Sequence, residues 1–150
     1  LAARLKHKTH HVYCVMGDGE QDEGQVWEAY AFASAHRLHN LSVIIDRNTI
    51  QSEGFTEDIL PLEPFAEKLT AFGWHVIEVD GHNIESIINV CKEAQTSIEE
   101  PVAIIAHTIA GKGVKFMEGK SSWHAKAPNA QEAKEALHEL RTLQGKIVYE

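Results

Sequence analysis

Asp18 and Asn48 each follow an apolar run of this chain, and both carry side-chain oxygens. Asp18 comes just after HVYCVM and stands between two glycines, whereas Asn48 comes after LSVIIDR. If the runs form parallel strands, their carboxyl ends lie about 4.8 Å apart, or about 10 Å with one strand between them. Either distance lets both side chains reach one ion. Such oxygens suit Mg²⁺ or Ca²⁺, and a backbone carbonyl just past Asn48 would add a third ligand.

The glycines beside Asp18 indicate that a phosphate group could lie next to this ion. Gly17 and Gly19 would let phosphate oxygens approach main-chain N–H groups with no Cβ in the way. A helix predicted from about Gly24 directs its positive end to the same place. The alternative is a tight turn with no ligand, because Gly and Asp favour turns. A plain nucleotide-binding Rossmann domain has less support, since neither G-x-x-x-x-G-K-[ST] nor a G-x-G-x-x-G after a strand occurs.

Alternating strands and helices must position these residues. Apolar runs predict strands over 11–16, 41–47, 74–80 and 102–108, and apolar residues at three-to-four spacing predict helices over 24–38, 64–72, 83–97 and 129–143. We expect a long polar loop between the second strand and the second helix. The alternation predicts an α/β fold, a parallel sheet with helices on both faces. Ligands of such sheets lie beyond the carboxyl ends of the strands.

Composition excludes several classes of function. The 150 residues fit one soluble domain, and the net charge of −8 argues against nucleic-acid binding. No apolar run approaches the ~20 residues of a membrane span, and no signal peptide is visible. Cys14 and Cys91 lack metal-ligand spacing, so we expect two buried free thiols in a cytoplasmic protein.

The start of the chain predicts a missing segment. The chain begins with Leu1 rather than Met, and LAARLKHKTH is typical of the end of a helix that enters a loop. We therefore expect a fragment, or one gene of a split protein, whose upstream part is absent.

Four stretches carry a resemblance to a known family. Gly-Asp-Gly followed by Asn after the next apolar strand resembles the thiamine-diphosphate fingerprint. The chain over roughly residues 12–138 resembles the diphosphate-binding domain of transketolases, through GDGEQDEGQVWEA, DRNTIQSEGFTED, GWHVIEVDGHN and HTIAGKGVKFMEGKSSWHAKAP. The resemblance implies the thiamine-diphosphate-binding fold.

The resemblance also implies which residues bind the cofactor and its metal. The side chains of Asp18 and Asn48 and the main-chain carbonyl of Ile50 would bind Mg²⁺, or Ca²⁺ or Mn²⁺ in its place. Gly17 belongs to the same fingerprint, and Gly19 would hold the diphosphate through its N–H.

Further residues match family positions near the reaction. Glu23 matches a glutamate of the acidic network that links the two active sites of the dimer. His124, in SSWHAK, matches a histidine close to the diphosphate and the reacting carbon of the substrate. Ala110 and Gly111 match a stretch that packs against the cofactor; some relatives have lysine in place of Ala110. Without the resemblance, His124 would be interpreted as a surface histidine.

The implied activity is the transfer of a two-carbon ketol unit between sugar phosphates, dependent on thiamine diphosphate and Mg²⁺. Residues 1–150 would form one diphosphate-binding domain that lacks the pyrimidine-binding and C-terminal domains. We therefore expect activity only with a partner that supplies the transketolase C-terminal half, in a homodimer or heterotetramer in the cytoplasm.

Three alternatives stay open from the sequence. Deoxyxylulose-phosphate synthase and the first component of 2-oxo-acid dehydrogenases share Gly-Asp-Gly and the fold, although both usually differ after it, where this chain has EQDEGQVWEA. The third is a non-catalytic remnant kept for assembly. Retention of Asp18, Asn48 and His124 argues against a remnant, because such a module has no need of metal ligands.

Overall fold

The computed structural model describes residues 1–144, which form a sheet with helices on both sides. The strands are β1 (Val12–Gly17), β2 (Leu41–Arg47), β3 (Ile50–Gln51), β4 (Gly54–Phe55), β5 (His75–Asp80) and β6 (Val102–His107). The helices are α1 (Ala2–Leu5), α2 (Gly24–Ala35), α3 (Thr56–Ile59), α4 (Phe65–Ala71), α5 (Ile84–Ala94) and α6 (Ala130–Gln144). In the described part of the chain, no helix is long and apolar enough to cross a membrane.

Four parallel strands form the main sheet, in the order β1-β2-β6-β5. Gly17 at the end of β1 pairs with Asp46 of β2, and Arg47 at the end of β2 pairs with His107 of β6. The strands therefore end at one edge, and β1 and β2 are direct neighbours. The predicted α/β fold is confirmed, with small differences at the ends of the helices and strands.

The two faces of the sheet are covered by different helices. On one face, α2 and α4 contribute Tyr30, Phe65 and Leu69 to a buried cluster with Ile45 of β2 and Ile105 of β6. On the other face, Ala94 of α5 packs with strand residues that include Val102 and Ile104. Helices on both faces of the sheet are therefore confirmed.

The first strand is exposed over part of its length, although its cysteine was expected to be buried. Val15 is 71% exposed, and Cys14 is exposed as well. β1 is an edge strand, and α5, on the face that carries Val15, packs mainly on β5, β6 and β2; Cys14 is on the opposite face, that of α2. The prediction of two buried thiols is therefore wrong: Cys14 is exposed and Cys91 is half-buried, and both are free.

The expected polar loop after β2 is instead an ordered segment. It contains the antiparallel β3–β4 hairpin, in which Ile50 pairs with Phe55, and the short helix α3. Hydrogen bonds from the Arg47 side chain to Thr56, Glu57 and Glu63 hold the segment against the end of β2. The prediction of a long polar loop did not include the hairpin or the helix, because the contacts that hold them depend on the tertiary structure.

Candidate functional site

Asp18 lies just beyond β1 and is 1% exposed. Its main-chain N–H donates to the carbonyl of Asp46 at 3.2 Å, which ties it to β2. Its Oδ2 accepts hydrogen bonds from the N–H of Thr49 at 2.6 Å and from Nη1 of Arg47 at 3.0 Å. Among residues 1–144, its Oδ1 is buried and has no hydrogen-bond partner. Such an oxygen is costly to bury unless a cation or donor meets it.

Asn48 follows β2 and is oriented by its neighbours. Its Nδ2 donates to Oδ2 of Asp46 at 3.0 Å, and its Oδ1 accepts from the N–H of Ile50 at 2.9 Å. The hydroxyl of Thr108, just after β6, donates to the other carboxylate oxygen of Asp46. An amide oxygen has two lone pairs, so Oδ1 of Asn48 retains one for a ligand.

A cavity of about 410 Å³ lies between the turn after β1 and the β3–β4 hairpin. The predicted site residues that line it are Gly17, Asp18, Gly19, Glu23, Asn48, Ile50 and His124. Further lining residues, which were not predicted from the sequence, are Glu20, Asp22, Gln51, Ser52 and Glu53. The structure therefore brings the predicted metal ligands and the histidine to one cavity.

The cavity is strongly acidic. Among the described residues that line it there is no lysine or arginine. Asp18, Asp22 and Gln51, which line it, each have a buried side-chain oxygen with no hydrogen-bond partner in the described part of the chain. Burial raises the pKa of Asp22, and the nearby carboxylates of Asp18, Glu23 and Glu53 raise it further, against a hydrogen bond with Gln51.

This chemistry fits a divalent cation. Carboxylates and phosphates repel one another at short range, so any phosphate group placed here would need a cation between it and these carboxylates. All the candidate ligands are oxygens, which Mg²⁺, Ca²⁺ and Mn²⁺ accept.

The two glycines beside Asp18 have different surroundings. A Cβ on Gly19 would lie 2.8 Å from Cβ of Gln51, so the hairpin leaves no space for a side chain there. A Cβ on Gly17 would meet only a carboxylate oxygen of Glu20, at 3.7 Å. The N–H of Gly17 already donates to that carboxylate at 2.6 Å. Gly19 is therefore the glycine that packing requires.

His124 reaches the cavity from the long segment after β6. It follows the turn Ser121–Trp123, and its N–H donates to the carbonyl of Ser121 at 2.9 Å. The ring of Trp123 contacts that of Phe116 with centroids 5.2 Å apart, and the Lys126 ammonium lies 3.8 Å from the Trp123 centroid. The His124 side chain itself is exposed. An exposed imidazole at a cavity wall can exchange protons with a bound molecule.

Ala110 and Gly111 are in the same segment but are not among the described residues that line the cavity. The carbonyl of Ala110 accepts a hydrogen bond from the N–H of Gly119 at 2.9 Å. Gly111 has a φ of +70°, and a Cβ there would lie 2.9 Å from Cβ of Met117. The internal packing of the segment therefore requires this glycine, and contact with a cofactor stays a prediction.

Gln21 is a structural residue of the site that the sequence does not reveal. It is 1% exposed, and its Nε2 donates to the carbonyl of Gly17 at 3.1 Å. Its Oε1 accepts from the hydroxyl of Tyr30, whose pKa is raised by burial, and its carbonyl accepts from Nε1 of Trp27. These bonds fix the turn around Asp18 to α2. Gln21 stands in a uniformly polar stretch, which gives no signal of its burial.

Arg47, the last residue of β2, is 4% exposed and forms salt bridges with Asp18, Glu57 and Glu63. Burial opposes its charge, but hydrogen bonds to the three carboxylates outweigh that cost and raise the pKa of Arg47. The sequence offered one sign that Arg47 has a role at the site: it is a charged residue at the end of an apolar strand, directly before the expected metal ligand Asn48.

Comparison with known proteins gives a consistent result. The protein-family model described as transketolase, thiamine diphosphate binding domain, matches residues 3–144 of this chain. The 6-deoxy-6-sulfo-D-fructose transketolase subunit SqwG of Clostridium sp. (strain MSTE9) is 42% identical over 140 residues, 93% of this chain and 51% of that protein. An apulose-4-phosphate transketolase subunit of Phocaeicola vulgatus is 40% identical over 140 residues, 93% of this chain and 50% of that protein.

Solved structures agree. A crystal structure of transketolase from Campylobacter jejuni superimposes with a TM-score of 0.81 at 32% identity, over 88% of this chain and 21% of that one. The chain thus spans about half the length of the two subunits and about a fifth of this longer enzyme. The chain belongs to the transketolase family, and residues 3–144 correspond to its thiamine diphosphate binding domain.

Proposed function

We propose that this chain supplies the metal- and diphosphate-binding half of a transketolase site. The assembled enzyme would transfer a two-carbon ketol unit between sugar phosphates, with thiamine diphosphate and Mg²⁺. The observation that carries this proposal is the buried Oδ1 of Asp18, which has no hydrogen-bond partner within residues 1–144, in a residue that lines an acidic cavity together with Asn48 and Ile50. In a member of this family, the oxygens of Asp18, Asn48 and Ile50 are suitable ligands for the metal that a bound diphosphate needs.

The residues take separate roles in this proposal. Asp18, the Asn48 side chain and the Ile50 carbonyl hold the metal, and the Gly17–Gly19 turn faces the diphosphate. Thiamine diphosphate supplies a carbon nucleophile and an electron sink when it is bound.

The remaining site residues exchange protons, join the acidic network or pack beside the cofactor. His124 exchanges a proton with the substrate oxygen near the reacting carbon. Glu23 belongs to the acidic network between two active sites, and Ala110 and Gly111 pack beside the cofactor once the site is complete.

A partner completes the site. The pyrimidine-binding and C-terminal domains would come from another chain or segment, in a homodimer or heterotetramer in the cytoplasm. Two relatives of about twice this length are named as transketolase subunits, which supports a divided enzyme. We therefore expect residues 1–150, a single diphosphate-binding domain, to be inactive alone.

Two relatives direct the choice of substrates to test. One is named for 6-deoxy-6-sulfo-D-fructose and the other for apulose 4-phosphate. A ketose phosphate, a sulfonated ketose and pyruvate should therefore be compared as donors. If pyruvate were the only one of these donors to be turned over, the result would instead support a deoxyxylulose-phosphate synthase or a 2-oxo-acid dehydrogenase component.

The first test is a calorimetric titration of thiamine diphosphate with Mg²⁺ into the chain mixed with a transketolase C-terminal half. We expect metal-dependent binding that Asp18→Ala abolishes. Asp80→Ala is the matched control, because Asp80 also lies at the carboxyl end of a parallel strand, but on β5, away from β1 and β2, and it does not line the cavity. Absence of binding, with the chain folded and the partner associated, would leave the non-catalytic remnant as the better description.

A further inference from the structure

The guanidinium of Arg47 is shared among four acceptors behind the site. Its Nη1 donates to Oδ2 of Asp18 at 3.0 Å and to the hydroxyl oxygen of Thr56 at 2.7 Å. Its Nη2 donates to Oε1 of Glu57 at 2.7 Å and to Oε1 of Glu63 at 3.0 Å. The planar donor fork of arginine suits such a set, whereas the single ammonium of lysine does not. Arg47 does not line the cavity in the described structure, so it acts from behind Asp18.

We propose that Arg47 is a positioning residue, which fixes the orientation in which the Asp18 carboxylate presents one oxygen to the metal. This inference rests on the proposed role of Asp18. Oδ2 of Asp18 accepts from both Arg47 and the N–H of Thr49, while its Oδ1 has no partner among the described residues. Partial rotation of the carboxylate would turn the unpartnered oxygen away from its position, and the two donors on the other oxygen oppose that rotation. The oxygen left for the metal is therefore Oδ1.

The charge of Arg47 acts in the opposite direction. A cation beside a metal ligand repels a divalent cation, especially where water is excluded. Glu57 and Glu63 pair with the same guanidinium and reduce that repulsion. If charge alone mattered, removal of Arg47 would strengthen metal binding. If positioning dominates, the same change weakens it, so the direction of the effect decides between them.

The test is Mn²⁺ binding, measured by electron paramagnetic resonance, to the chain mixed with a transketolase C-terminal half and thiamine diphosphate. We expect Arg47→Gln to weaken the apparent Mn²⁺ affinity about tenfold or more, as is usual when a partner of a metal ligand is lost. Arg47→Lys keeps the charge but not the fork, so it should show an intermediate loss. Arg37→Gln removes the same charge at an exposed position and is the matched control.

A second readout separates positioning from damage to the fold. At saturating Mn²⁺, thiamine diphosphate should bind Arg47→Gln as tightly as the parent chain, because the defect acts through the metal. A loss of cofactor affinity that excess Mn²⁺ does not restore would overturn the inference. If Arg47→Gln does not fold, the same criteria apply to Arg47→Lys.

Failure of this inference and failure of the proposed function give different results. If the parent chain binds Mn²⁺ through Asp18, but Arg47→Gln binds it equally or more tightly, the role of Arg47 is wrong and the metal site stands. If Asp18→Ala binds Mn²⁺ like the parent chain, the metal site is wrong, and the role of Arg47 is wrong with it.

Discussion

The two walls of the cavity are constructed differently. In the wall formed after β1 and β2, Asp18 is 1% exposed, and Arg47 behind it is 4% exposed; a hydrogen bond between their side chains and one from the N–H of Thr49 fix the Asp18 carboxylate. The wall formed after β6 presents His124 as an exposed side chain on a short turn. Buried, bonded groups are preorganised for binding, whereas an exposed imidazole is suited to proton exchange. The comparison predicts that binding and turnover depend on separate walls.

The largest expected effect is on turnover, at the His124 wall. We expect His124→Ala, mixed with a transketolase C-terminal half, to lower kcat about 100-fold or more, the usual contribution of a general acid–base group. Thiamine diphosphate and Mg²⁺ should bind as in the parent chain, because the proposed metal ligands Asp18, Asn48 and Ile50 lie on the other wall. Steady-state kinetics and calorimetry on the same samples measure both quantities. His138→Ala, an exposed histidine of α6, is the control. Equal losses of binding and kcat would show that the walls are not independent.

The next effect tests the packing of the buried wall. Gly19→Ala places a Cβ 2.8 Å from Cβ of Gln51, so the turn and the hairpin must move apart. Overpacking of this kind costs about 1–3 kcal/mol of unfolding free energy. Metal-dependent cofactor binding should weaken as well. Urea denaturation and calorimetry measure the two effects.

A second glycine provides the matched control for that change. Gly24 begins α2, and a Cβ there meets nothing within 4 Å. Gly24→Ala should be neutral or stabilise the chain by up to about 1 kcal/mol, since alanine favours helix. If Gly19→Ala lowered neither the unfolding free energy nor cofactor binding, the close contact between Gly19 and Gln51 would not be required for the stability of the chain or for binding.

The two walls also differ in how well sequence predicts them. Asp18 and Asn48 could be placed at one edge because strand alternation fixes where parallel strands end. Arg47 and Gln21 could not be assigned, because their roles depend on which side chains surround them in the folded chain. The exposure of Cys14 was missed for the same reason: an apolar run indicates a strand but not what covers it. His124 was found only through the family resemblance.

The smallest effect concerns the charge pairs behind the buried wall. The hydrogen bond from the N–H of Phe65, followed by that from Arg47, lowers the pKa of Glu63 below the ordinary 4.5. Because the folded state favours the ionised form, Glu63 stabilises the chain above pH 4.5, and this contribution is lost as pH falls through the lowered pKa. The unfolding free energy of Glu63→Gln should therefore fall less steeply than that of the parent chain below pH 4.5, as measured by urea denaturation at several pH values. Equal slopes would mean that Glu63 contributes to the Arg47 cluster by geometry and not by charge.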